Sequence, residues 1–405
     1  MNAPVPASLL AAVEMAPKDP ILGVTELFNA DPNPRKVNLG VGVYTDESGK
    51  VPLLACVREA QKVLEAQGAP HPYLPIDGIP AYDRAIRDLV FGADSHVVQE
   101  GRAITVQALG GTGSLKIGAD FLRRFLPSSQ VWISDPSWEN HRALFEGAGF
   151  AVNTYPYYDP VRRGVDFGAM TAALRNAPAG SVIVLHACCH NPTGADLTSP
   201  QWTEVISIVR ERGHIPFLDI AYQGFADGIA EDGAIVGRFA GTPGPLFIAS
   251  SYSKSFSLYG ERVGALSVTG ATADEAARLL SQIKRVVRAN YSNPPSFGGH
   301  VVTTVLTTPS LRIQWERELE GMRTRILANR RALVEGLTQR LPQRDFHFML
   351  DQRGMFSYSG LSEAQVRRLR EEFSVYAVST GRICVAALNA GNLDYVVDAI
   401  AAVAA

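Results

Sequence analysis

Four short runs of the chain are apolar at nearly every position: Val131–Asp135 (VWISD), Ser181–Ala187 (SVIVLHA), Ile215–Ala221 (IPFLDIA) and Pro245–Ser250 (PLFIAS). They favour β-branched and aromatic residues and lack the in–out alternation of a half-exposed strand. They therefore predict strands buried on both faces of a parallel sheet. Between them, stretches such as Ser199–Gly213 (SPQWTEVISIVRERG) space their apolar residues at helical intervals, with Gly213 as the stop. Alternating strand and helix predicts an α/β domain with right-handed crossovers, whose ligands gather outside the carboxyl ends of the strands.

Beyond residue 309 the pattern changes. A helical stretch, Ser310–Leu341, leads to short strand-like runs at Phe346–Leu350 (FHFML) and Met355–Gly360 (MFSYSG). A helix, Ser362–Phe373, and a further strand, Arg382–Leu388 (RICVAAL), follow. This α+β pattern predicts a smaller second domain, joined by the start of the chain, where Lys36–Tyr44 (KVNLGVGVY) reads as strand and tight turn. The expected division is 1–50 as N-terminal arm and part of the small domain, 51–320 as the large α/β domain, and 321–405 as the small C-terminal domain. The helix beginning near Ser310 is placed to bridge the two.

Composition narrows the classes of function. The 405 residues are 46% hydrophobic and 19% charged, enough apolar material for a large core. The net charge of −2 gives no broad electrostatic case for nucleic acid or an anionic membrane. No apolar run approaches the ~20 residues that span a bilayer. No charged segment precedes the apolar patch near the N-terminus, which reads as a loose arm and not as a signal peptide. Four scattered cysteines make no disulfide framework, and Cys188, Cys189 and His190 are contiguous, without metal-ligand spacing. Together these features predict a cytoplasmic protein without a metal.

Each buried run empties into polar residues of particular types. Gly110-Gly111-Thr112-Gly113 opens a helix, where bare backbone N–H groups suit an anion; a structural turn is the competing reading. After VWISD come Trp138 and His141, expected in a loop, the indole either half-buried or stacked on a planar ligand. Beyond SVIVLHA lie His186, Asn191 and Thr193. Asp219 sits inside an apolar strand, where an unpaired carboxylate costs several kcal/mol. It needs an internal partner or a buried cationic ligand atom, and Tyr222 is near enough in sequence to serve the same ligand. Lys254 follows PLFIAS among Ser251 and Ser253, with Arg262 eight residues on. A lysine at such a strand end has a lowered pKa and can form a Schiff base, while hydroxyls and a guanidinium beside it hold a phosphate.

These stretches, GGTGSLK, SDPSWENHRALF, HNPTG, LDIAYQGF, SSYSKSFSLYGERVGA, RANYSNPP and GRICVA in that order, resemble the class I aminotransferases of the aspartate/aromatic subfamily, pyridoxal-phosphate enzymes of fold type I. The likeness runs over nearly the whole chain. It implies pyridoxal 5′-phosphate as cofactor, with Lys254 as its Schiff-base amine and proton shuttle, and Asp219 paired with the ring nitrogen and supported by His141 and His186. It implies Asn191 and Tyr222 on the ring's 3′ oxygen, Trp138 against the ring face, and Gly111, Thr112, Ser251, Ser253 and Arg262 on the phosphate. Arg382 would clamp the substrate α-carboxylate, with Gly42, Phe356, Trp138 and Asn191 around the substrate. Tyr73 and Arg288 would reach the active site of a second copy in a homodimer, the arginine to the substrate side chain.

Around Lys254 the sequence departs from the commonest pattern of aspartate members at Ser255, Ser257 and Gly260, and NPPSFGGH with Phe297 is closer to the aromatic branch. The resemblance thus implies transfer of the amino group of phenylalanine, tyrosine or aspartate to 2-oxoglutarate. The alternatives are an aspartate aminotransferase proper, β-elimination or decarboxylation on the same fold, and a non-catalytic ligand sensor. The set Lys254, Asp219 and Arg382 argues against the sensor.

Overall fold

Seven strands form one central sheet in the order Ala103–Leu109, Val263–Thr269, Leu246–Ser251, Ile215–Ile220, Val182–His186, Val131–Asp135, Val152–Pro156. Only Val263–Thr269 runs antiparallel to its neighbours. The computed structural model describes residues 10–16 and 21–405. Part of the N-terminal arm expected from the sequence, residues 1–9 and 17–20, lies outside them.

Ile215–Ile220, Leu246–Ser251 and Val263–Thr269 are buried at every position, which is why these runs are continuous in hydrophobicity. Their side chains alternate between two cores. Phe217 and Phe247 join Leu115, Ile117 and Phe145 on one face, while Leu218, Ile220 and Ile248 pack with Leu185 and Trp202 on the other. Each face is covered by helices, giving an α/β fold with a mostly parallel sheet.

The start and end of the chain meet in a separate set of short pairings. Val37–Asn38 lies parallel to Val375–Tyr376, and Phe356–Tyr358 lies antiparallel to Arg382–Cys384. The 32-residue helix Pro309–Arg340 links this set to the large sheet. Near its start Trp315 Nε1 donates to the carbonyl of Ser255, 2.7 Å away, beside Lys254. Near its end it packs against the helix Leu393–Ala404.

The structure departs from the sequence pattern in four places. Arg382–Leu388 is a strand only over Arg382–Cys384, and Val385–Ala387 is a 3-10 helix. Lys36–Tyr44 contains only a two-residue strand. Phe346–Leu350 is not a strand: His347–Asp351 is a 3-10 helix, with Phe346 and Met349 buried three residues apart and His347 and Leu350 exposed. Trp138 and His141 are not in an open loop but at the start of the helix Glu139–Gly147, where Trp138 is the N-cap residue. Glu139 in its first turn suits the helix dipole. Among the described residues no helix is long and apolar enough to cross a membrane.

Candidate active site

The strand register assembles the site. His186 pairs with Asp219, Ile220 with Ser250, and Ser251 with Gly264, so the carboxyl ends of three neighbouring strands open at one level. Beside them Val263 pairs with Leu109, which brings Arg262 against the start of the helix Gly110–Phe125. These ends surround a cavity of about 240 Å³. Fourteen of the residues singled out from the sequence line it: Gly42, Gly111, Thr112, Trp138, His186, Asn191, Asp219, Tyr222, Ser251, Ser253, Lys254, Arg262, Phe356 and Arg382.

Asp219 is 5% exposed and its Oδ2 lies 2.8 Å from His141 Nε2. His141 Nδ1 lies 2.9 Å from Ser137 Oγ, which fixes the ring from its far side. Burial pushes the Asp219 carboxyl up, but the His141 hydrogen bond and the surrounding electrostatics, with the Lys254 ammonium among them, outweigh it and hold it below the ordinary value. The carboxylate is therefore an anion in a dry wall. His186 is driven to about 3 by burial and by His141, against the pull of Asp219, and so is neutral, with Nε2 buried and without a hydrogen-bond partner.

The Lys254 ammonium lies 4.8 Å from the centroid of the Tyr222 ring. Burial lowers its pKa to about 8; Arg262 and Arg382 repel its charge and Asp219 partly restores it. At neutral pH a useful fraction of this amine is unprotonated, as a nucleophile and proton carrier requires.

An anion cradle adjoins it. The helix Gly110–Phe125 starts without a side-chain cap and without an acidic residue in its first turn, leaving its N–H groups to a ligand. Gly110 has φ +68°, and a Cβ there would stand 2.5 Å from Arg262 Nη2. Arg262 itself is left-handed at φ 54°, a strained conformation that points its guanidinium into the cradle. Its Nη1 donates to the Tyr259 carbonyl at 2.7 Å and to Ser253 Oγ at 3.4 Å.

Arg382 forms the opposite wall, 2% exposed. Its Nη1 donates to Asn191 Oδ1 at 2.9 Å and its Nη2 to the Gly40 carbonyl at 2.7 Å, while Nε is buried and unpartnered. The guanidinium lies 4.2 Å over the Phe356 ring. A Cβ at Gly42 would meet that ring at 2.7 Å, so glycine is required there.

Three of the residues that the family resemblance assigns to the site do not line the cavity, and neither does Thr193, whose Oγ1 lies 2.8 Å from His190 Nδ1. His141 stands behind Asp219. Tyr73 is 92% exposed, and Arg288 is exposed at a helix end, hydrogen-bonded to Ser292. Conversely, Ile21, Ala221 and Tyr259 line the cavity without having been singled out. Tyr259 had a signal, lying between Lys254 and Arg262; its hydroxyl accepts from the Tyr44 N–H at 2.9 Å and so ties residue 44 to the cradle. Ile21 had none.

An amine, a buried anion, a cationic cradle at a helix start and a flanking indole fit a flat aromatic ring that carries a basic nitrogen and a phosphate tail. The unpartnered His186 Nε2 beside Asp219 and the uncapped helix start are sites that such a molecule would complete.

The family model described as aminotransferase class I and II matches residues 34–400. The aspartate aminotransferase of Pseudomonas aeruginosa is 58% identical over 97% of this chain and 99% of its own. The aromatic-amino-acid aminotransferase of Escherichia coli is 53% identical over 95% of this chain and 97% of its own. Among solved structures, the aromatic-amino-acid aminotransferase of Burkholderia pseudomallei, covalently bound to pyridoxal phosphate, superposes with a TM-score of 0.96 at 61% identity, over 98% of this chain and 99% of its own.

Proposed function

The chain belongs to the class I and II aminotransferases, and on that footing we propose that it transfers the amino group of aromatic amino acids, and of aspartate, to 2-oxoglutarate. It is a pyridoxal-phosphate-dependent transaminase acting on amino and 2-oxo acids. The observation that carries the reading is the convergence of Lys254, Asp219 and Arg382 on one cavity.

When bound, pyridoxal phosphate supplies a covalent handle for the amino group and an electron sink for the substrate Cα–H bond. Gly111 and Thr112, Ser251 and Ser253, and Arg262 would hold the phosphate, and Asn191 and Tyr222 the 3′ oxygen. Trp138 would flank the ring, and Asp219, steadied by His141, would keep the ring nitrogen protonated. Lys254 would take the proton from the substrate Cα and return it on the cofactor side. Arg382, its fork already oriented by Asn191 and the Gly40 carbonyl, would bind the α-carboxylate.

The cavity lining also includes the apolar and aromatic side chains of Ile21, Trp138, Tyr259 and Phe356, which supports an aromatic substrate side chain. The name of the Pseudomonas aeruginosa relative supports the second reading, an aspartate aminotransferase proper. The exposure of Tyr73 and Arg288 suits residues that serve the site of a second copy, so we assign a homodimer and place Arg288 at the substrate side chain. The chain is also similar to the cytoplasmic aspartate aminotransferases of Dictyostelium discoideum (46% identical) and Oryza sativa (44% identical), which supports a cytoplasmic enzyme.

The test is kcat/KM for phenylalanine and for aspartate on one preparation, with 2-oxoglutarate as acceptor. Phenylalanine equal to or above aspartate supports the aromatic reading; aspartate ahead by orders of magnitude replaces it with the alternative. Arg288→Ala is expected to lower kcat/KM for aspartate roughly 10- to 100-fold, the worth of a charge-assisted hydrogen bond, and to change phenylalanine little. Equal losses would remove Arg288 as the reader of the side chain.

A further inference from the structure

Arg330, on the helix Pro309–Arg340, is 1% exposed and has no carboxylate partner among the described residues. Burying a guanidinium without a counter-ion is costly, and an aliphatic side chain would fill the space more cheaply. Burial lowers its pKa to about 10, which still leaves it charged at neutral pH. The compensation is a set of hydrogen bonds to one short segment. Nη2 donates to the carbonyls of Gly354 at 2.5 Å and Phe356 at 3.1 Å, and Nε donates to Ser357 Oγ at 3.2 Å.

That segment is the strand pair at the substrate end of the cavity. Phe356 pairs with Cys384 and Tyr358 with Arg382, so the backbone Arg330 grips runs beside the backbone of Arg382. The Phe356 ring packs under the Arg382 guanidinium and edge-on to Tyr222, at 5.8 Å between centroids. On its other side the segment abuts the loop that carries Asn191. The Arg353 N–H donates to the Gly194 carbonyl at 2.7 Å, and Gly354 leaves no room for a Cβ, which would stand 2.5 Å from Cys189 Cβ. Asn191 is in turn the acceptor for Arg382 Nη1.

We infer that Arg330 is a positioning residue for substrate-carboxylate recognition: by fixing residues 354–357 it sets Phe356, and through the strand pairing Arg382, in the geometry that binds the α-carboxylate. It acts through other residues and lies outside the set lining the cavity. The inference rests on the assignment of Arg382 to the α-carboxylate.

The experiment measures kcat, KM and Tm of the holoenzyme as wild type, Arg330→Met, Arg330→Lys and Arg382→Lys, with phenylalanine and with aspartate. Because both substrates carry the α-carboxylate, Arg330→Met is expected to raise KM for the two by the same factor, on the order of tenfold, at the low end of what a misplaced binding group costs. kcat should change less, and cofactor affinity should hold. Arg330→Lys, which retains a donor for one carbonyl, is expected to recover part of the affinity for both substrates. A folded Arg330→Met with a lower Tm and unchanged KM would reduce Arg330 to a stability role and overturn the inference. A KM change for one substrate only, or no recovery in Arg330→Lys, would overturn it too. If Arg330→Met does not fold, Arg330→Lys decides alone: a smaller but equal KM rise for both supports the inference, and an unchanged KM refutes it. Arg382→Lys separates the two claims. If it raises KM and the Arg330 variants do not, only the positioning role fails; if it leaves KM unchanged, the carboxylate assignment itself has failed.

Discussion

Replacing Lys254 with alanine is expected to abolish amino transfer, leave pyridoxal phosphate able to bind without its covalent absorbance band, and stabilise the cofactor-free protein at pH 7. The first two results follow from the two tasks proposed for the amine, nucleophile and proton carrier, for which no other lysine among the described residues lines the cavity. The third follows from linkage. The lysine titrates near 10.5 in the unfolded chain and near 8 in the fold, because burial outweighs the pull of Asp219. Between those values the unfolded chain binds a proton that the folded one does not, so stability climbs with pH across that window. Below about 8 the folded protein carries the whole penalty, at most about 3 kcal/mol and less where water in the cavity screens the charge. The alanine variant should therefore melt above the wild type at pH 7, with the gap closing as pH approaches 10.5. Lys254→Met, which keeps the side-chain volume, controls for packing. Retained turnover would remove Lys254 from the chemistry, and equal melting at pH 7 would mean that its ammonium is solvated.

The cofactor end of this cavity was legible in the sequence because its residues follow buried strands directly. A carboxylate inside IPFLDIA, a lysine after PLFIAS and glycines opening a helix each violate the local rule for their position, and such violations mark function. The substrate end was legible only through the family resemblance. Arg382 and Asn191 are 191 residues apart and meet only because the end of the chain folds back onto the large sheet. Arg330 was invisible for a different reason: it stands next to Arg331 on an arginine-rich helix, where a guanidinium reads as a solvated face. Nothing local distinguishes the buried arginine from its exposed neighbour. The segment Phe346–Leu350 failed for lack of length, since five residues cannot separate a period of two from a period of three. His141 was recognised as a residue but misplaced in structure, because SDPSWENH carries turn residues and a helix start together.

Asp219→Asn carries the second large effect, a fall in kcat/KM on the order of 10³-fold, about 4 kcal/mol of transition-state stabilisation, the size of loss expected when a preorganised charge beside the reacting centre is removed. The amide keeps the shape of the carboxylate and a hydrogen bond to His141 Nε2, so the fold should survive. What it lacks is the negative charge, which the His141 hydrogen bond and the nearby Lys254 ammonium hold in place against the cost of burial. On the role proposed for Asp219, loss of that charge would remove the anion that keeps the cofactor's ring nitrogen protonated and so would weaken the electron sink the cofactor supplies. His141→Gln should cost less, roughly tenfold, because the carboxylate remains and loses only its orienting hydrogen bond. The order of these losses is the informative quantity. If Asp219→Asn stays within tenfold of the wild type while His141→Gln falls further, the histidine rather than the carboxylate governs the ring nitrogen, and the charge on Asp219 serves only to hold His141 in place.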